Sequence, residues 1–142
     1  GLIYCWTRVV NAQGVTESVS QPEIEGRATA SILRTNFILS PSVLIRKDAF
    51  AHVGLFDEAL PSCQDWDMWT RILCGGFKCR VVKKELAVYH RHGGPSVGLS
   101  ARARTGYILF LKKHWRSILR YTGPLNWARK LLLFIRLSQA ES

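Results

Sequence analysis

Gly54-Leu55-Phe56-Asp57-Glu58-Ala59-Leu60-Pro61-Ser62-Cys63 runs directly into Gln64-Asp65-Trp66-Asp67-Met68-Trp69-Thr70-Arg71. The order is a glycine turn, an aromatic for the core, then a helix with two aspartates in its first turn. Trp69, Ile72 and Leu73 stand at helical spacing and give that helix a buried side. Ser62 and Asp65 have the spacing of a capping box, which puts Asp65 at the helix start. There the free N–H groups and the helix dipole favour a carboxylate. The residues alone leave two readings open. Asp65 is a capping acid in a well-packed helix, or a carboxylate on a rigid mount that acts as a general base.

Outward from this stretch, the segment before it reads as a short helix over 46–53 closed by Gly54. Residues 42–45 read as a buried strand after Pro41. Residues 28–34 form a short helix and 21–27 a polar loop. At the start, 1–10 is a strand rich in β-branched and aromatic residues. Asn11-Ala12-Gln13-Gly14 turns it into a hairpin partner over 15–19. The central helix runs over 64–74 and ends at Gly75-Gly76. Strands follow at 77–82 and 85–90. Then comes His90-Arg91-His92-Gly93-Gly94-Pro95-Ser96, a polar glycine-rich loop of the kind that carries ligand contacts. A long helix from 97 to 115 has a basic outer face. Gly123-Pro124 breaks the chain, and 125–137 forms a last amphipathic helix with Trp127, Leu131, Phe134 and Ile135 on one side.

Strands alternating with helices predict an α/β domain with a mixed sheet, flanking helices and a C-terminal helical tail. The expected division is 1–97 for the body and 98–142 for the tail. The opening strand already belongs to a fold, and the sheet is short of strands for a stand-alone α/β unit. An N-terminal half is therefore expected to precede it.

With 47% hydrophobic and 21% charged residues, the 142-residue chain falls outside the disordered class. Its net charge is +10, and nine Lys and Arg against one acid from Ala101 onward carry +8 of it. Such a tail suits a membrane surface, a nucleic acid or an acidic substrate. No nucleic-acid motif accompanies it, and aromatic residues do not interleave the charges on a sheet, so no nucleic-acid partner is expected. Helix 125–137 fits an interfacial membrane contact, and no apolar run reaches the length of a membrane span. Cys5, Cys63, Cys74 and Cys79 make no C-x-x-C pair, which fits a reducing compartment. Cys74, Cys79, His90 and His92 match no standard zinc spacing.

Several pieces then fall in one order: Asn36-Phe37-Ile38, Ser42-Val43-Leu44-Ile45-Arg46-Lys47, Ala49-Phe50, Val53-Gly54-Leu55-Phe56-Asp57-Glu58, Gln64-Asp65-Trp66-Asp67-Met68-Trp69, Arg71 and Tyr89-His90-Arg91-His92. Together they resemble the C-terminal half of a family 2 glycosyltransferase of the GT-A fold, over roughly residues 1–114 with 36–96 as its centre. The resemblance implies transfer of a sugar from a nucleotide-sugar donor to a hydroxyl acceptor: a polysaccharide, a lipid-linked glycan or a cell-surface glycan. It places the general base at Asp65. The family usually has Glu before that base. Gln64 stands here instead, which removes a second charge and leaves a substrate-binding amide.

The same resemblance sets His92 on a histidine near the diphosphate and metal, as a metal or phosphate ligand. His90 stands where the family has Arg, with Arg91 placed to compensate, and Ser96 matches a loop serine near the phosphates. Trp66 is expected to face the acceptor sugar, since aromatic faces stack on sugar rings. Phe56 and Trp69 are expected in the core, and Asp67 to hold a nearby N–H or Arg71. A divalent metal, Mn or Mg, would neutralise the leaving diphosphate. Its main ligands are expected in the N-terminal half, because no Asp-x-Asp stands before Asn36. On this reading the chain alone is inactive, and its parent is cytoplasmic, at the inner face of the membrane. The alternative is a non-catalytic basic α/β module that binds a membrane surface or nucleic acid.

Overall fold

A computed structural model describes residues 1–91 and 101–139. Strand β1 (Leu2–Val10) is the axis of the sheet. Asn11 starts the turn that follows, its Oδ1 accepting the N–H groups of Gln13 and Val15 at 3.0 and 2.9 Å. Strand β2 (Thr16–Ser20) returns antiparallel along the second half of β1. Strand β3 (Val43–Ile45) pairs antiparallel with Leu2–Tyr4 at the start of β1. Strand β4 (Cys79–His90) runs parallel to β1 along its full length. The sheet is thus mixed, four-stranded and open, as the alternation of elements predicts.

Two expectations change. β4 is one strand, where the sequence suggests two. Its register against β1 jumps from Cys5↔Val82 to Trp6↔Glu85 and Thr7↔Ala87, so Lys83-Lys84 bulge out without ending the pairing. The short run 42–45 is also not a buried strand. β3 is a three-residue edge strand, and Leu44 is 72% exposed on the face of the sheet away from the core.

The helices are α1 (Thr29–Arg34), α2 (Lys47–Val53), α3 (Gln64–Cys74) and α4 (Ala101–Gln139). Gly54 closes α2 at φ 83°, and its N–H bonds Phe50 O at 2.8 Å. One core joins Leu2 and Tyr4 of β1, Ile32 and Leu33 of α1, Met68, Trp69, Ile72 and Leu73 of α3, and Phe110, Leu111 and Ile118 of α4. The basic helical stretch therefore shares the core of the body. Gly123, at φ 82° and ψ 167°, divides α4 into two arms ahead of Pro124. The second arm folds back so that Trp127 and Phe134 pack on the same core.

Tyr4 ties the 21–27 loop to the sheet. Its hydroxyl donates to Ile24 O at 2.8 Å and accepts from Ile24 N at 3.0 Å. Burial pushes this phenol up to about 12.

The first arm of α4 approaches the 61–63 loop so closely that only glycine fits at position 106. A Cβ there would lie 2.6 Å from Ser62 O. In an ordinary helix interior Gly→Ala stabilises by about 1 kcal/mol. Here the overlap is with backbone, and overpacking of this kind costs roughly 1–3 kcal/mol. Gly106→Ala is expected to lower Tm by a few degrees, read by thermal circular dichroism. A rise in Tm would contradict the close approach.

Candidate active site

Helix α3 starts from a strained residue. Cys63, its N-cap, has φ 62° and ψ 18°, and is the one non-glycine with positive φ among the described residues. This left-handed step places the cap one residue later than Ser62, so the expected capping box does not form. Ser62 is buried, and its Oγ donates instead to Ala103 O on α4 at 3.3 Å. Asp65 keeps one oxygen on the helix start and turns the other toward the segment after α1. Its Oδ2 accepts from Ser40 Oγ at 2.7 Å and from Asn36 Nδ2 at 3.4 Å. Its Oδ1 accepts from the N–H of Trp66 at 2.7 Å. All three donors are neutral.

Asp65 forms part of the wall of an open cleft of about 690 Å³. Asn36, Ser40, Phe56, Gln64, Trp66 and Tyr107 line it with Asp65. Gln64 anchors its own side chain, donating from Nε2 to Leu60 O at 2.8 Å. Trp66 has a double duty. Its indole N–H donates to Ile32 O at 2.7 Å, and its ring stacks on Phe110 with centroids 4.3 Å apart. Lys130 from the second arm of α4 lies 5.4 Å from the Trp66 centroid. One face of Trp66 is thus taken by Phe110, and the ring lines the cleft as a wedge between α1, α3 and α4. Phe56, expected in the core, is 45% exposed at the cleft and meets Trp69 edge-on at 6.2 Å. Phe56 is therefore an aromatic surface that the cleft itself presents.

Asp67, two residues on, has the opposite surroundings. It is fully buried. Arg71 Nε donates to its Oδ2 at 2.8 Å, Lys113 Nζ lies 3.0 Å from Oδ1, and His114 Nε2 lies 2.7 Å from Oδ1. A carboxylate only accepts, so the His114 nitrogen facing it carries the proton. Burial pushes the Asp67 carboxyl up. The bonds from His114, Lys113 and Arg71 together outweigh it and hold the group at about 2. Asp67 therefore holds Arg71, as the sequence reading expected, and two side chains of α4 as well.

These partners extend the network to the cleft rim. Arg71 also donates to Val53 O at 2.6 Å and to Leu55 O at 2.8 Å. Lys113 also bonds Asp57 Oδ2 at 2.6 Å, which holds the Asp57 carboxyl below its usual range. The loop that carries Phe56 is fixed from both sides.

Of the site residues expected from the sequence, the structure brings Gln64, Asp65 and Trp66 to this cleft. Arg91 lies outside it. Its N–H bonds Val10 O at 2.7 Å, and its guanidinium reaches Glu17 of β2 at 3.5 Å. His92 and Ser96 fall outside the described residues. Among the described residues no three His, Cys, Asp or Glu side chains gather as a metal site. The cleft offers one carboxylate among neutral amides and hydroxyls, which does not fit a divalent cation site. Ser40 and Tyr107 join the site without being signalled by the sequence reading. Asn36 stood only at the head of the quoted motif order. Comparison with protein-family models, with curated proteins and with solved structures finds no match for this chain.

The depressed Asp67 carboxyl makes stability depend on acid. Relative to its ordinary 3.8, a folded value of about 2 corresponds to roughly 2–3 kcal/mol. That contribution is complete above about pH 5 and is lost as pH falls toward 2. Urea midpoints measured from pH 6 to 2 are expected to fall across this window, and Asp67→Asn to flatten the fall. An equally steep fall in Asp67→Asn would contradict the assignment.

Proposed function

We propose that this chain forms the acceptor side of a family 2 glycosyltransferase of the GT-A fold, with Asp65 as general base. One observation carries the reading: the Asp65 carboxylate stands at a helix start on the wall of an open cleft, held by Asn36, Ser40 and a backbone N–H, all neutral. The order of motifs quoted above supports it. Oδ2 already accepts two bonds and Oδ1 one, so a lone pair remains on Oδ1 for an incoming hydroxyl.

In this reading the acceptor hydroxyl donates to Asp65. As its oxygen attacks the anomeric carbon of the donor sugar, the proton passes to Asp65. The nucleoside diphosphate leaves from the opposite face, and the configuration inverts. Ser40 and Asn36 fix the carboxylate so that it is aimed before the substrate arrives. Phe56 offers its ring to the acceptor, and Gln64 adds an amide without a second charge. A nucleotide-sugar, and the divalent metal (Mn or Mg) that would neutralise its leaving diphosphate, would have to be held by an N-terminal half of the same fold.

The test is release of nucleoside diphosphate by the protein carrying this chain, given nucleotide-sugars and glycan acceptors. Asp65→Asn is expected to lower kcat by about 10²- to 10⁴-fold, with the circular dichroism spectrum unchanged. Full turnover by Asp65→Asn would remove Asp65 as the base.

A further inference from the structure

The second arm of α4 presents a face that the core does not use. Leu125, Arg129, Leu132, Leu133 and Arg136 recur at helical spacing, and all are exposed. Leu125 is 67% exposed and Leu132 59%. The residues at alternate helical positions, Trp127, Lys130, Leu131 and Phe134, turn inward and close a groove of about 460 Å³ against the first arm. Trp115 of the first arm lines that groove and is 45% exposed at its mouth. The arm is therefore apolar on both sides, and its outer side alternates leucine with arginine.

The charges around this face are of one sign. Residues 101–139 contain nine Lys and Arg and no Asp or Glu. Lys113 and Lys130 are engaged inward, with Asp67 and with the Trp66 and Tyr107 rings. Arg116, Arg120, Arg129 and Arg136 are exposed. Large exposed leucines beside arginines suit an interface where apolar groups sink below a layer of anions while long cationic side chains reach up to it. A nucleic acid would pair with the arginines and leave the leucines in water. A second copy of the chain would set this positive face against its own like. No described helix is long and apolar enough to cross a membrane, so the mode is contact along a surface.

We infer that the outer face of the second arm beds on an anionic lipid bilayer. Leu125, Leu132 and Leu133 enter the headgroup boundary, and Arg129 and Arg136 meet the lipid phosphates and carboxylates. The inference rests on this face alone and stands whether or not the cleft transfers sugars.

The experiment is co-sedimentation of the chain with vesicles of phosphatidylcholine containing phosphatidylserine, and with phosphatidylcholine alone. Binding is expected to the first and to be weak on the second. Leu132→Ser with Leu133→Ser is expected to weaken it about ten- to thirtyfold, and Arg129→Gln with Arg136→Gln about tenfold on the anionic vesicles only. All four positions are exposed, and circular dichroism confirms the fold of each variant. Failure to bind anionic vesicles, or binding indifferent to the leucine changes, overturns the inference. So does salt-sensitive binding to duplex RNA in place of vesicles, or a dimer in sedimentation that the leucine changes dissolve.

Discussion

The buried carboxylate of Asp67 is the constraint on which the rest depends. A charge with no exposed surface must be met by cations and donors, or the fold loses several kcal/mol. Arg71 comes from one turn further along α3. Lys113 and His114 come from α4, 46 and 47 positions away in sequence. Seating these two residues draws the first arm of α4 down onto the start of α3, where Gly106 has to be small against Ser62. Through Arg71 and Lys113 the same carboxylate also grips Val53, Leu55 and Asp57, and so fixes the loop that presents Phe56. The walls of the Asp65 cleft are consequences of how the neighbouring aspartate is neutralised.

The same network divides the basic residues of α4 into two groups. Lys113 and Lys130 are structural: one closes the Asp67 site, and the other lies over Trp66 and Tyr107 and donates to Arg34 O at 3.2 Å. Burial pulls the Lys130 ammonium below its usual range. The exposed arginines carry the field that a partner would meet. A net charge counted from the sequence does not separate the two groups, because the separation is made by which helix face meets the core.

Much of the fold was legible. Periodicity at Trp69, Ile72 and Leu73, with Gly75-Gly76 after them, marks α3 over its observed span, and Gly54 closes α2 as its position predicts. The hairpin of β1 and β2 follows from Asn11 and Gly14. What local pattern misreads is set by distant partners. β4 reads as two strands because Lys83-Lys84 interrupt the apolar run, yet pairing with β1 carries the strand across the bulge. Ser62 reads as a cap because its spacing is right, yet Cys63 adopts the left-handed conformation and a carbonyl of α4 claims the hydroxyl. The place of Asp65 at the start of α3 was legible. Ser40 beside it was not, since nothing local signals a hydroxyl 25 positions away.

Two aspartates a single residue apart thus have separate settings. Asp67, ringed by cations, holds the fold, whereas Asp65, held by neutral donors, faces the open cleft. Urea unfolding of Asp65→Asn and Asp67→Asn, measured side by side at neutral pH, tests this division most directly. A loss of roughly 3 kcal/mol is expected for Asp67→Asn, whose removal strands Arg71 and Lys113. A change within about 1 kcal/mol is expected for Asp65→Asn, which keeps an acceptor for Ser40. Equal losses, or a larger loss for Asp65→Asn, would contradict this division.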